Sequence, residues 1–282
     1  MPETLAAQLL AARKAFVAAD IEPAGLDARL LLQAATGLSH EDLVSSPEAE
    51  MSPEQSKIFA DFVARRLLEE PVSRILGTRE FYGRNFEVTP AVLDPRADTE
   101  ALIELVLELG TALQGRLLDI GTGSGAIAIT LLCEIAGATG MAVDLSADAL
   151  HVARKNALAN GVSGRLTFHL GSWFAGLTEK FDLIVSNPPY IPHGEIAGLG
   201  DEVKNFDPHL ALDGGADGLF AYRALAAGAA EHLNPEGSIV VEIGAGQEAD
   251  VTAIFESHGF QSSGQRKDLG GYMRALAFKR KY

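Results

Sequence analysis

The sequence predicts an α/β chain: a doubly wound, mainly parallel sheet, preceded by a small helical bundle and a β-hairpin. Three observations carry this. Apolar runs of strand length alternate with helical segments through the second half of the chain. The run Arg116-Leu117-Leu118-Asp119-Ile120 passes directly into Gly121-Thr122-Gly123-Ser124-Gly125 and then a helix from Ala126 to Ile135. A second buried strand, Leu183-Ile184-Val185 behind Asp182, stops at Ser186 and is followed by Asn187-Pro188-Pro189-Tyr190.

Bulk properties bound the reading. A chain of 282 residues suggests two domains, and 47% hydrophobic with 22% charged residues is ordinary for a globular core. The net charge of −15 argues against a broad grip on nucleic-acid phosphates. The single cysteine, Cys133, sits in an apolar helical run and cannot form an internal disulfide. No apolar stretch approaches the ~20 residues of a membrane span. The N-terminus, with Glu3, has no signal-peptide pattern, so a cytoplasmic location is expected.

Residues 1–75 read as helices. Leu5, Leu9, Ala12 and Phe16 recur at spacings of three and four. Asp27 to Ala35 is a second helix ending near Gly37, and Ser39 opens a third. Ser52, Pro53 and Gln55 form a capping-box start for a helix expected to reach Glu70, with Pro71 closing it. Arg65 and Arg66 are expected on its solvated face. This segment carries no recognisable chemistry and is expected to dock the substrate. Residues 76–95 read as a hairpin linking the domains, with Gly83 in the turn. The second domain is expected over 96–282. Asp98 or Thr99 is expected to cap a helix through Ile103, Leu105 and Leu107; neither role accounts for Arg96.

The chemistry lies in two loops. A glycine loop between strand and helix lets backbone approach a ligand and presents N–H groups at the helix start. The next strand ends at Asp144, an acid roughly 20 residues further on, where nucleotide folds bind a ribose hydroxyl pair. Asp144 can also serve as a helix cap, but Ser146 can do that alone. Trp173, the only tryptophan, follows the strand Leu166 to Leu170 and is either core filler or a wall for an adenine ring. After the fourth strand, two prolines stiffen the loop. There the Asn187 side-chain carbonyl and the Pro188 main-chain carbonyl can accept both N–H groups of a planar –NH2, with Tyr190 as a flat platform. Further on, a helix is expected from Leu219 to Leu233, a strand over Ser238–Glu242 and a last one around Met273–Phe278.

Taken together, strand–DIGTGSG–helix, the acid after the second strand and NPPY after the fourth resemble the Rossmann-like class I methyltransferases that use S-adenosylmethionine. LGTREFYGRNFEV, LDPRADTE, SNPPYI, FDPHLALDGGADGL and DLGGYMRAL, in order along nearly the whole chain, resemble the HemK/PrmC family of release factor glutamine methyltransferases. The resemblance implies methylation of the side-chain amide of the glutamine in the Gly-Gly-Gln motif of class 1 peptide chain release factors. It implies methyl-donor contacts at Gly121, Thr122, Gly123, Ser124, Gly125, Asp144, Ser172, Trp173 and Asn187. It places the glutamine pocket at Asn187, Pro188, Pro189 and Tyr190, with Asn187, Pro188 and Tyr190 carrying the catalytic roles and no metal. The chain departs from the family pattern at Asp94, usually apolar, at Ala97, usually proline, and at Ser172, often Asp.

An amide nitrogen is a poor nucleophile because its lone pair is delocalised. No strong base stands out near NPPY, and Asp182, Glu195 and His193 have no compelling role. Orientation and electrostatics are therefore expected to carry the reaction, with the proton leaving late, to water. The rival readings are a ribosomal-protein glutamine methyltransferase, a nucleic-acid methyltransferase acting on adenine or guanine amino groups, and a nicotinamide-dependent oxidoreductase or nucleotide-binding module. The negative net charge counts against nucleic acid, and NPPY counts against the last.

Overall fold

The computed structural model describes residues 4–110 and 115–281, which leaves Glu3 outside. The chain divides into two compact units, residues 1–77 with 200–206, and 78–199 with 207–282. Among the described residues, no helix is long and apolar enough to cross a membrane.

The first unit is helical: α1 (Leu5–Ala18), α2 (Ala24–Thr36), α3 (His40–Ser45), α4 (Pro53–Leu67) and α5 (Val72–Leu76), with a short helix at Asp201–Phe206. Local chemistry sets the boundaries. Ser39 with Asp42, and Ser52 with Gln55, form reciprocal capping boxes. Gly37, at φ 75°, ends α2 as expected. Leu5, Ala12 and Phe16 turn inward from α1 to meet Leu31, Leu32 and Phe59. Each large apolar side chain so buried contributes about 1.5–3 kcal/mol.

Two expectations fail here. Helix α4 ends at Leu67, not Glu70: Glu69 takes φ 63°, and Pro71 starts α5 instead of merely closing α4. Arg66 is not solvated but 3% exposed, and it pairs with Asp27 at 2.8 Å and Glu202 at 2.6 Å. Arg65 is half-buried and grips both carboxylate oxygens of Glu70.

The second unit opens with β1 (Thr78–Phe81) and β2 (Arg84–Glu87), an antiparallel hairpin. Tyr82 and Gly83 both take positive φ, 51° and 72°, as a two-residue hairpin turn matched to strand twist requires. The hairpin is packed into this unit through Phe81 and Phe86, edge to face at 6.1 Å. The rest alternates: α6 (Glu100–Glu108), β3 (Arg116–Ile120), α7 (Ala126–Glu134), β4 (Thr139–Asp144), α8 (Ala147–Ala159), β5 (Leu166–Leu170) and β6 (Phe181–Ser186). The Asp201–Phe206 helix is α9; then come α10 (Phe220–His232), β7 (Leu233–Glu242), α11 (Glu248–Ser257), β8 (Phe260–Lys267) and β9 (Met273–Arg280).

The seven-stranded sheet has the order β5-β4-β3-β6-β7-β9-β8, in which β9 runs opposite to the other strands and pairs antiparallel with both β7 and β8. Side chains alternate faces along each strand. Leu117, Leu183, Val185 and Val240 enter one core with α6 and α7, while Leu118, Ile184, Ile239 and Val241 enter the other with α10 and α11. The order reverses between β3 and β6, which pair through Leu117↔Leu183 and Asp119↔Val185. Their carboxyl ends, followed by the glycine loop and by Asn187-Pro188-Pro189, therefore lie side by side at the switch point where such sheets bind ligands.

The Arg66 cluster makes a stability prediction. Asp27→Ala should leave a buried guanidinium with only half-exposed Glu202 as carboxylate partner and cost about 2–4 kcal/mol. Glu202→Ala should cost about 1 kcal/mol or less, because that carboxylate is largely in water. Urea unfolding followed by circular dichroism measures both; equal losses would contradict the burial argument.

Candidate active site

The glycine loop is held from below by Asp119. This carboxylate is fully buried; one oxygen accepts from Thr122 Oγ1 at 2.7 Å and Ala128 N at 3.2 Å, and Oδ1 has no partner. Burial is the main cause that pushes its pKa up to about 7, against the downward pull of those two hydrogen bonds. Gly121 N and Thr122 N both reach the Val143 carbonyl. Gly125, at φ 83°, starts α7; a Cβ there would come within 2.7 Å of Ile129. Asn156 on α8 ties the loop to the hairpin, donating to Ser124 O and Glu87 O and accepting from Glu87 N at 2.7 Å.

Asp144 faces the same space. Its Oδ2 accepts from Gly123 N at 2.8 Å and its Oδ1 from Ser146 N at 2.9 Å, so the carboxylate is oriented by two backbone donors. Ser146 caps α8 by itself through Ala149 N. Trp173 adopts φ 53°, an uncommon backbone state for a large side chain. Its ring meets Phe220 at 6.4 Å, tilted by 61°.

A cavity of about 540 Å³ gathers these groups. It is lined by Gly121–Ser124, Asp144, Ser172, Trp173 and Asn187–Pro189. Gly125 lies just behind it at the helix start. Tyr190 does not line it, so the expected platform beside the amide is absent at that position. The Tyr190 ring packs against the core on the α10 side, and its hydroxyl donates to Glu242 Oε1 at 3.4 Å. Burial, followed by the charge of Glu242, pushes the phenol's pKa up.

Asn187 Nδ2 donates to Thr99 Oγ1 at 3.2 Å. Thr99 thus serves the site and not the helix: neither Asp98 nor Thr99 makes a side-chain cap on α6. Among the described residues, neither Asn187 Oδ1 nor the Pro188 carbonyl accepts a hydrogen bond. Two unused acceptors on adjacent residues thus sit in a rigid cavity wall.

The structure adds residues that the sequence reading left unassigned. Arg96 lines the cavity and is fixed at 2.5 Å from Asp207. Leu210 and Phe220, exposed apolar side chains, line it too. Both lie in or just after the stretch FDPHLALDGGADGL, which offered that signal. Asp94, one of the departures, is buried, with Arg79 at 3.8 Å. Glu242, at the end of β7, is fully buried; burial raises its pKa to about 7, opposed by Thr99 and Arg274.

Comparison with known proteins places these features. Residues 8–77 match a family model described as PrmC N-terminal domain, and residues 96–199 one described as methyltransferase small domain. A release factor glutamine methyltransferase from Agrobacterium fabrum is 46% identical, with 98% of each chain covered. Another from Bradyrhizobium diazoefficiens is 46% identical, covering 98% of this chain and 93% of that one. A solved methyltransferase structure from Pyrococcus furiosus is similar in fold, with TM-score 0.52 and 20% identity over 79% of this chain and all of that one.

Asp119 gives a testable pH dependence. With its folded pKa raised to about 7, the folded state holds a proton that the unfolded chain releases near the ordinary carboxylate range. Stability contributed here is therefore lost as pH rises through that window. Asp119→Asn mimics the neutral form and keeps an acceptor for Thr122 and Ala128. It should be more resistant to urea than the wild type at pH 8, with a smaller difference at pH 5.

The seven-stranded sheet, the two helical and methyltransferase segments and the near full-length relatives agree: the chain belongs to the release factor glutamine methyltransferase family, a family of methyltransferases.

Proposed function

We propose that the protein methylates the side-chain amide nitrogen of the glutamine in the Gly-Gly-Gln motif of class 1 peptide chain release factors, in the cytoplasm, using S-adenosylmethionine. The observation that carries this is the pair of unused acceptors, Asn187 Oδ1 and the Pro188 carbonyl, in the wall of a cavity whose other side is a glycine loop and an acid. A carboxamide –NH2 has two in-plane N–H donors, and two adjacent carbonyl oxygens match them.

The chain's residues fit the methyl donor. The glycine loop offers backbone without Cβ, Asp144 retains acceptor capacity for a ribose hydroxyl pair, and Trp173 with Phe220 offers aromatic surface for an adenine. Ser172 replaces the Asp that is usual in the family and leaves a neutral hydroxyl there. When bound, S-adenosylmethionine supplies an electrophilic methyl group.

Everything else is positioning by the protein. Asn187 and Pro188 accept hydrogen bonds from the two amide N–H groups and fix the plane of the glutamine side chain. Pulling on those protons increases electron density at nitrogen, and holding the plane aims the nitrogen. The prolines make this nearly free of reorganisation, which is where preorganised sites gain most. The amide nitrogen gives up one proton to water. The helical unit contributes affinity by docking on the release factor; its polar capped helices carry no other chemistry.

Three measurements test this reading. Asp144→Ala should weaken S-adenosylmethionine binding by about 1.5–3 kcal/mol in calorimetry, the worth of a charge-assisted hydrogen bond. Asn187→Ala should bind the donor nearly normally yet lose on the order of 10²-fold in methyl transfer to an intact release factor. Near-normal transfer by that folded variant would remove Asn187 and Pro188 from the reaction. A chain lacking residues 1–75 should still bind the donor but fall in kcat/KM on whole release factor; unaltered kcat/KM would end the docking proposal.

A further inference from the structure

Asn187 recognises an –NH2 group only while Oδ1, and not Nδ2, faces the cavity. The two ends of a carboxamide have nearly the same shape, so packing does not choose between them. The choice must come from a hydrogen bond behind the residue. Here Nδ2 donates to Thr99 Oγ1, and Thr99 is 4% exposed on the turn before α6. A hydroxyl accepts in this way only while its own proton points elsewhere. If that proton swung toward Asn187, it would draw Oδ1 inward and leave Nδ2, a donor, facing a substrate donor.

Glu242 gives the proton somewhere else to go. Its carboxyl is buried at the end of β7, and the Thr99 hydroxyl favours its charged form. The two side chains form no hydrogen bond, and Glu242 Oε2 has no partner among the described residues. Oε1 is taken, loosely, by the Tyr190 hydroxyl at 3.4 Å. A buried carboxyl oxygen without a donor is costly, and the Thr99 hydroxyl can supply one. Either charge state serves: if the carboxyl is neutral with its proton on Oε1, facing Tyr190, Oε2 still accepts. Loose contacts of this kind tighten when a substrate fills the site.

We infer that Thr99 and Glu242 are positioning residues for Asn187: the Thr99 hydroxyl donates a hydrogen bond to Glu242, Thr99 accepts from the Asn187 amide, and Oδ1 is thereby kept toward the substrate. The inference rests on Asn187 being the amide-recognition residue. It assigns roles to a residue expected to be a helix cap and to one expected to be an ordinary strand end. It also explains why Tyr190 turns away from the cavity: the phenol supports the far side of the same carboxyl.

The test uses the intact enzyme. Thr99→Val keeps the shape and removes the acceptor; Thr99→Ser keeps both proton and acceptor. Glu242→Met keeps the approximate length and removes both acceptors. Each is measured for kcat and KM on a release factor and for donor affinity, alone and combined with Asn187→Ala. Thr99→Val and Glu242→Met should each lower kcat about tenfold, the rate equivalent of one hydrogen bond, with donor affinity unchanged. Thr99→Ser should recover most of the lost kcat, which a role in packing the methyl group would not allow. In the Asn187→Ala background, Thr99→Val should lower kcat no further, because nothing remains to be oriented. Wild-type kcat in folded Thr99→Val, or full additivity with Asn187→Ala, overturns the positioning roles. If Glu242→Met fails to fold, the Thr99 pair still decides. Full activity of Asn187→Ala alone overturns the underlying reading as well, and so is told apart from failure of the relay.

Discussion

Parallel pairing of β3 and β6 is the constraint on which the site depends. Parallel neighbours send their following loops to one edge of the sheet, and the reversal of strand order between these two opens a crevice there. The glycine loop and Asn187-Pro188-Pro189 are far apart in sequence and carry complementary chemistry. One presents backbone without side chains, and the other presents oxygens. Neither loop alone makes a methyltransferase. The Ser186 hydroxyl, donating to the Ile120 carbonyl at 2.7 Å, pins the second loop to the strand that feeds the first.

Beneath this edge lie polar groups that a stability-first design would omit. Asp119 has an oxygen without a partner, and Glu242 has another. Burying a carboxyl is costly unless it is paired or neutral, and both have pKa values pushed up accordingly. Asp119 supports Thr122, a loop residue that faces the cavity, and Glu242 lies at the end of β7 in contact with the Tyr190 hydroxyl. The buried Arg66 of the helical unit differs: it has two carboxylate partners, and its role is packing order among helices.

What the sequence made legible was local. Capping boxes, the helix-ending Gly37 and apolar runs such as Leu117-Leu118 or Ile239-Val240-Val241 are written in nearest neighbours, and those elements appear, though β7 starts at Leu233, five residues before the expected Ser238. The two site loops were legible because glycines and prolines restrict backbone in ways that few alternatives share. Helix α11 and strand β8 were not anticipated. β8 reads Phe-Gln-Ser-Ser-Gly-Gln-Arg-Lys, with no apolar alternation, and is held by its pairing to β9. Thr99 looked like a cap because capping is the common local use of a threonine before a helix; its partner, Asn187, is a long-range contact. Tyr190 looked like a platform because it follows the prolines, but the chain turns it toward Glu242. Arg66 looked solvated because its pairing to Asp27 and Glu202 is invisible in helical periodicity.

Trp173 has a further consequence. It is the chain's one tryptophan, and it lies on the cavity wall beside Phe220 and not in the core. Emission excited at the indole band therefore comes from a single place, and that place is where a purine ring would stack. The chain thus carries one optical probe: on the proposed reading, spectral shifts report occupancy of the donor side of the cavity, free of signal from the helical unit.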